Sequence, residues 1–325
     1  MDMLLNVLFL VVGFVLLVKG ADFFVEGSSY IAKVLKVPAV IVGLTIVSIG
    51  TSAPELAVSV AAATKGESAM SISNVIGSNM FNLLMVLGVC SVIKPVKVKE
   101  SILKFEFPFS IFLTGLVLFF ISDKVMPWND AKYSKDTIGS LGRPAGIIII
   151  VLLIGFILFL IRSALKQRNE MNEEFKKMNP ILCAVYVIGG IAAIVIGGDV
   201  VVDNAKSIAL ALGMTETLVG LTIVAMGTSL PELVTSVVAS RKGSNDIAVG
   251  NVVGSNIFNI LLVLGLSATI SPMLVLTISA VDLVILIVVS IIGYIFAFTK
   301  KEINRVEGII MILMYAAYMV YAIIR

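Results

Sequence analysis

The stretch VGLTIVSIGTSAPELAVSVAAATKGESAMSISNVIGSNMFNLLMVLG, residues 42–88, returns 177 positions later, without a gap, as VGLTIVAMGTSLPELVTSVVASRKGSNDIAVGNVVGSNIFNILLVLG, residues 219–265. Of the 47 aligned positions 28 are identical, more than a shared apolar composition produces. Repetition on this scale means that one supersecondary unit is used twice. The matched positions include Gly50-Thr51-Ser52 with Gly227-Thr228-Ser229, Pro54-Glu55-Leu56 with Pro231-Glu232-Leu233, and Gly77-Ser78-Asn79 with Gly254-Ser255-Asn256. A weaker echo reaches back to Gly20 and Asp22 against Gly197 and Asp199.

Both copies lie in a chain that water does not suit. It is 59% hydrophobic and 14% charged, with a mean hydropathy of +1.09, whereas soluble domains are about 45–50% apolar and about 25% charged. A membrane helix needs about 20 mostly apolar residues. Such runs fall near residues 4–34, 39–63, 69–93, 103–121, 146–164, 181–209, 215–239, 246–270, 275–298 and 306–324, which predicts an all-α membrane protein of ten transmembrane helices. The first run, from Leu4 to Val18, lacks the basic start and small-residue cleavage site of a signal peptide, so it reads as a retained span. No basic block interleaved with aromatics is present, which excludes nucleic acid as a partner. Cys90 and Cys183 lie in or beside apolar runs without metal-ligand spacing, so a disulfide framework has no support.

Five spans per copy is an odd number, so the second copy enters the bilayer from the opposite side. The expected layout is a pair of inverted-topology repeats, with residues 1–164 as the first five-helix repeat, 165–180 as a polar cytoplasmic linker and 181–325 as the second. With the N-terminus outside, the inner loops hold 17 of the 24 Lys and Arg and the outer ones 7. The positive-inside rule therefore places both termini outside the cell membrane.

Glu55 and Glu232 sit well inside their apolar runs, where an unpaired charge costs on the order of 3 kcal/mol or more. No Lys or Arg lies within eight residues of either, and the chain has no histidine. A mobile metal cation or a proton is then the expected counter-charge. Pro54 and Pro231 directly precede the carboxylates; proline within a helix removes a backbone hydrogen bond, which frees carbonyls near Thr51 and Thr228. Unwound backbone at membrane depth is tolerated where it lines a cavity, and in transporters such carbonyls coordinate ions. Asn74, Ser78 and Asn82 recur every four residues on one helical face, with Asn251, Ser255 and Asn259 as their copies. An all-oxygen set of this kind favours a hard cation such as Ca2+ or Na+. Two carboxylates match one divalent ion, and an empty, doubly ionised site is a poor state to carry across a membrane. That is the physical requirement for an exchanger.

The paired Gly-Thr-Ser-X-Pro-Glu and Gly-Ser-Asn motifs resemble the two alpha repeats of the calcium/cation antiporter superfamily, most nearly its sodium/calcium exchanger branch. The resemblance implies Glu55 and Glu232 as shared ligands of Ca2+ and Na+, beside the carbonyls of Thr51 and Thr228. It implies Ser52, Ser78, Ser229 and Ser255 as residues that complete sodium sites, and Asn82 as a central polar position. It further implies that the long first and sixth helices slide past the core to alternate access. Relatives that include microbial sodium/calcium exchangers and potassium-dependent ones carry aspartate where Asn259 stands, and its absence here weighs against potassium co-transport.

The expected activity is thus secondary antiport of Na+ against Ca2+, with no enzymatic chemistry and no resident cofactor; the partners are the two ions and the bilayer. An H+/Ca2+ antiporter is the nearest alternative, and a cation channel a more distant one. A channel filter is usually a ring repeated around an axis by several subunits, unlike an inverted pair in one chain. Asn74, Asn251, Ser59 and Ser236 read as interhelical hydrogen-bond glue, while Ser78, Asn82, Ser255 and Asn259 read as ligands. Asp22 and Asp199 are expected near the inner ends of their helices, solvated or paired with Lys19 or Lys206. Asp282 is expected in a solvated position. Gly43, Gly77, Gly220 and Gly254 are expected to be close helix contacts.

Overall fold

The computed structural model describes residues 3–121, 137–167, 179–214, 223 and 225–324. Apolar runs of membrane length become helices because a helix satisfies every backbone group within its own segment, where lipid offers no partner. In chain order they are α1 (Met3–Leu35), the bent pair α2 (Ala39–Thr51) and α3 (Ala53–Thr64), α4 (Ala69–Ile93), α5 (Ile102–Ile121), α6 (Arg143–Lys166) and α7 (Pro180–Ala211). These are followed by α8 (Leu230–Arg241), α9 (Asn245–Ile270), α10 (Thr277–Lys300) and α11 (Arg305–Ile324). Nine spans are complete among the described residues, counting α2 with α3 as one. The run predicted at 215–239 is described continuously only from Ala225, and residues 168–178 of the predicted linker, most of the loop from Asp123 to Arg143 and Gly220 lie outside the described residues.

The repeat is visible in the packing. α4 and α9, copies of each other, form the centre: 72% and 94% of their apolar windows are buried within the protein, against 22% for α1 and 28% for α7. α1 and α7 pack along each other more extensively than any other pair of helices among the described residues. Glycines permit this, since small residues let membrane helices approach closely. A Cβ at Gly13 would lie 3.0 Å from the Gly197 carbonyl oxygen, and one at Gly20 would lie 2.9 Å from that of Gly190. Gly190 and Gly197 are the 177-residue copies of Gly13 and Gly20, so the crossing is two-fold symmetric about its own centre.

Short strands, which no periodicity announces, tie the halves together outside the helices. β1 (Val96–Lys97) follows α4, and β2 (Thr137–Leu141) precedes α6. β3 (Met273–Leu276) follows α9, and β4 (Glu302–Ile303) separates α10 from α11. β1 pairs antiparallel with β4 and β2 with β3, each strand of one half bonding the other half.

Two expectations about single residues fail. An added Cβ at Gly77 meets no atom of the described residues within 4 Å, unlike Gly43 and Gly254, whose Cβ atoms would press on Ile247 and Ser48 at 2.8 Å. Asp282 is buried at 3% exposure, because it falls on the face of α10 that also buries Ser279, Leu283 and Leu286.

Candidate functional site

The α2–α3 pair bends by 48° at Ser52, two residues before Pro54. Ser229 is the matching N-cap of α8, two residues before Pro231. Proline suits the first turn of a helix, where its missing N–H would have had no partner. Each motif therefore ends one helical segment and starts another, with Glu55 or Glu232 in the new first turn. The positive end of the helix dipole lies there and offsets part of the carboxylate's charge.

Both carboxylates are fully buried. Ser229 donates its hydroxyl to Glu55 Oε1 at 2.9 Å, and Ser52 donates to Glu232 Oε1 at 3.0 Å. The serine of each half thus holds the glutamate of the other. Ser78 adds a second donor to Glu55 Oε1 at 3.3 Å, and Ser255 adds one to Glu232 Oε1 at 3.4 Å. The second oxygen of each carboxylate, Glu55 Oε2 and Glu232 Oε2, is buried without a partner among the described residues. The ion pairs among those residues involve neither glutamate.

A second layer fixes where these helices start. Asn74 donates to Ser59 Oγ at 3.0 Å and to the Glu55 carbonyl at 3.3 Å. Asn251 repeats this with Ser236 Oγ at 3.0 Å and the Glu232 carbonyl at 3.4 Å. The threonines close the layer across the halves, Thr51 Oγ1 donating to Asn251 Oδ1 at 3.0 Å and Thr228 Oγ1 to Asn74 Oδ1 at 3.4 Å. Hydrogen-bond glue is the geometry observed for Asn74, Asn251, Ser59 and Ser236.

Asn259 opens the π-helical turn Asn259–Leu264, and Asn82 stands one residue inside its counterpart, Phe81–Val86. Such turns are frequent at functional sites. Both polar atoms of Asn82 are buried and unpartnered among the described residues; Asn259 donates to Asn79 Oδ1 at 3.1 Å and leaves its own Oδ1 unpartnered. Asn79 and Asn256, for which sequence reasoning found no role beyond their motif, clamp α4 to α9. Each donates its amide to the other's carbonyl, at 3.2 and 3.3 Å. Their place in a duplicated Gly-Ser-Asn is the signal that could have found them.

The surroundings are not symmetric. A cavity of about 530 Å3 runs beside the two prolines, between α3 and α7, and its lining includes Pro54, Val58, Asp199, Val202, Asp203 and Thr228. Asp199 lines this cavity and is exposed, and it makes no ion pair with Lys206 among the described residues. The inversion of the second repeat puts Asp22 and Asp199 on opposite faces. Asp22 pairs with Lys242 of the α8–α9 turn rather than with Lys19.

In composition the site is two carboxylates, hydroxyls and amides, and the described residues hold no group of three acidic, histidine or cysteine side chains. Buried oxygens without donors are suited to a hard cation.

The family profile described as "Sodium/calcium exchanger protein" matches residues 5–162 and 182–324. The chain is 36% identical to the sodium/calcium exchanger MaX1 of Methanosarcina acetivorans, over 97% of each chain. It is 35% identical to the inner membrane protein YrbG of Escherichia coli, over 83% of this chain and 81% of that one. The solved structure of the sodium-calcium exchanger NCX_Mj, soaked with Na+ and Sr2+, superposes with a TM-score of 0.81 at 29% identity, covering 98% of this chain and 99% of that chain.

Proposed function

This chain belongs to the sodium/calcium exchanger protein family, and from that premise we propose that it is a secondary antiporter exchanging Na+ for Ca2+ by alternating access at one central site. The site is formed where the two broken helices meet. The observation that carries the reading is the pair of buried oxygens, Glu55 Oε2 and Glu232 Oε2, that find no donor among the described residues, each on a carboxylate whose other oxygen is anchored by a serine from the opposite half.

A carboxylate without a partner in a dry interior requires a counter-charge. The two glutamates supply two negative charges, which one Ca2+ balances, with oxygens from Thr51, Thr228, Asn82 and Asn259 available to complete a coordination of about six to eight. Na+ competes for the same carboxylates, with Ser52, Ser78, Ser229 and Ser255 as further oxygens. Their hydroxyls now point at Oε1 and would rotate to offer lone pairs. Because the empty, doubly charged site is costly to move, each crossing is made loaded, and that coupling is antiport. The cavity beside Pro54 and Pro231, set against the packed contact of α1 with α8 at the matching place in the other half, supports a state in which the two faces differ. The charge distribution of the loops supports an outward N-terminus, an outward C-terminus and the cell membrane as the location.

The test is counter-flow in proteoliposomes with Na+, K+, H+ and Ca2+ varied one at a time. Ca2+ uptake should follow an opposed Na+ gradient and saturate. Uptake that follows a pH gradient and ignores Na+ would assign H+/Ca2+ antiport instead, and flux without any counter-ion would assign a channel.

A further inference from the structure

The offset of 177 residues relates more than the site. It maps Asp22 to Asp199, and it maps Lys242, which follows α8, to Lys65, which follows α3. Both lysines are followed by a left-handed glycine, Gly243 at φ +80 and Gly66 at φ +79, that turns the chain into the next helix. The same local structure therefore presents a lysine on each face of the membrane, opposite an aspartate of α1 or α7.

On one face the pair is made. Lys242 Nζ lies 3.2 Å from Asp22 Oδ1 and donates to the Asp22 carbonyl at 2.9 Å. α1 packs along α8 there, and Ala21, Val25 and Thr235 are buried at 0%, 1% and 0% exposure. On the other face their copies Gly198, Val202 and Val58 line the cavity of about 530 Å3, as Asp199 does. α7 stands off α3, Lys65 is exposed, and among the described residues neither Lys65 nor Asp199 makes an ion pair. Lys206 is a nearer charge to Asp199 in sequence, but its copy is Ser29, so symmetry selects Lys65.

We propose that Asp22–Lys242 and Asp199–Lys65 are alternate latches, one made whenever the other is broken, which hold the α1–α7 pair against α8 on one face or against α3 on the other. Closing the cavity brings Asp199 to Lys65 and pulls Asp22 from Lys242. A half-exposed ion pair shifts an equilibrium by only about three- to fivefold, which is enough to bias each state without trapping it. The inference rests on the alternating-access reading, although not on which ions are exchanged.

Two reporter cysteines test the latch in a background with Cys90→Ala and Cys183→Ala: Val58→Cys, which lines the cavity, and its copy Thr235→Cys on the closed face. Each is labelled with a membrane-impermeant maleimide applied to the face it serves, in liposomes of defined orientation. Lys65→Asp should raise labelling at 58 and lower it at 235, and Lys242→Asp should do the reverse, each by about three- to fivefold. The paired exchanges Asp199→Lys with Lys65→Asp, and Asp22→Lys with Lys242→Asp, should restore the wild-type ratio. General loosening of the fold would raise both reporters together. Parallel changes, no change, or failure of the paired exchanges to restore the ratio would overturn the latch. Opposed labelling without Na+-driven Ca2+ uptake would keep the latch and remove the proposed ions; uptake with unopposed labelling would do the converse.

Discussion

Ser52 donates its hydroxyl to Glu232 across 3.0 Å, from one half of the chain to the other, and Ser229 returns the relation to Glu55 at 2.9 Å. The residue that breaks each helix is thus the residue that orients the carboxylate of the opposite break. Neither half can hold its glutamate in this geometry alone, which is a physical reason for the duplication to persist within one polypeptide.

The carboxylates themselves give the first prediction. Glu55→Gln or Glu232→Gln removes one of two charges facing a divalent ion in a dry site. Removing one partner of a buried charge pair costs about 3–5 kcal/mol, which lowers affinity at least about a hundredfold. Na+-driven Ca2+ uptake in proteoliposomes should fall to background in both variants. Wild-type rates in both would refute the assignment.

The crossed serines give the second. Ser52→Ala and Ser229→Ala each remove a hydrogen bond to a charged group, worth about 1.5–3 kcal/mol, while Ser255 or Ser78 still donates to the same oxygen. Both variants should express and fold, with half-saturating Na+ raised about tenfold or more. The two effects should match within a few-fold because the sites are copies. A large effect from one serine and none from the other would show that the two halves do not share the load.

Adjacent glycines on α7 give the third. A Cβ at Gly190 would sit 2.8 Å from the Phe24 backbone nitrogen, whereas one at Gly189 meets nothing of the described residues within 4 Å. Gly190→Ala forces α1 and α7 apart and should cost roughly 1–3 kcal/mol, as overpacking does. Gly189→Ala should be neutral or slightly stabilising, since alanine is the better helix former. Thermal unfolding in detergent separates the two; equal midpoints would contradict the close crossing.

How much of this is legible in the sequence follows from what each feature depends on. The spans are readable because lipid imposes length and apolarity on every helix: the run at 69–93 is the helix Ala69–Ile93, and the run at 103–121 is Ile102–Ile121. Glu55 and Glu232 stand out because a charge in an apolar run has no bland explanation, and Asn74 and Asn251 are readable as glue because amides on a membrane helix seek partners on a neighbouring one. The crossed serine bonds are not legible, since which hydroxyl meets which carboxylate depends on how two halves dock. The burial of Asp282 escapes the sequence because nearness to a helix end does not say which face points inward. The shared inner-end position expected for Asp22 and Asp199 fails for a different reason: inversion requires that residues matched across the two copies lie near opposite faces of the membrane.

The last prediction concerns the ion rather than the chain. A ligand that binds the folded state and not the unfolded one stabilises by RT ln(1 + [L]/Kd), about 2.7 kcal/mol at a hundredfold excess over Kd. With Glu55 Oε2 and Glu232 Oε2 buried and without donors among the described residues, the unliganded site carries an uncompensated cost that Ca2+ relieves. Ca2+ should therefore raise the unfolding midpoint of the detergent-solubilised protein, and a chelator should reverse the rise. Mg2+ should do so weakly, because it demands near-ideal octahedral geometry at about 2.0–2.1 Å and dehydrates reluctantly. Na+ should also stabilise, at higher concentration, and added to the Ca2+-loaded protein it should displace Ca2+ rather than add a second increment, since both ions use the same carboxylates. In Glu55→Gln the Ca2+ increment should vanish while the midpoint without Ca2+ stays level or rises, because the variant no longer buries the charge. A Ca2+ increment retained in that variant would place the binding elsewhere in the molecule.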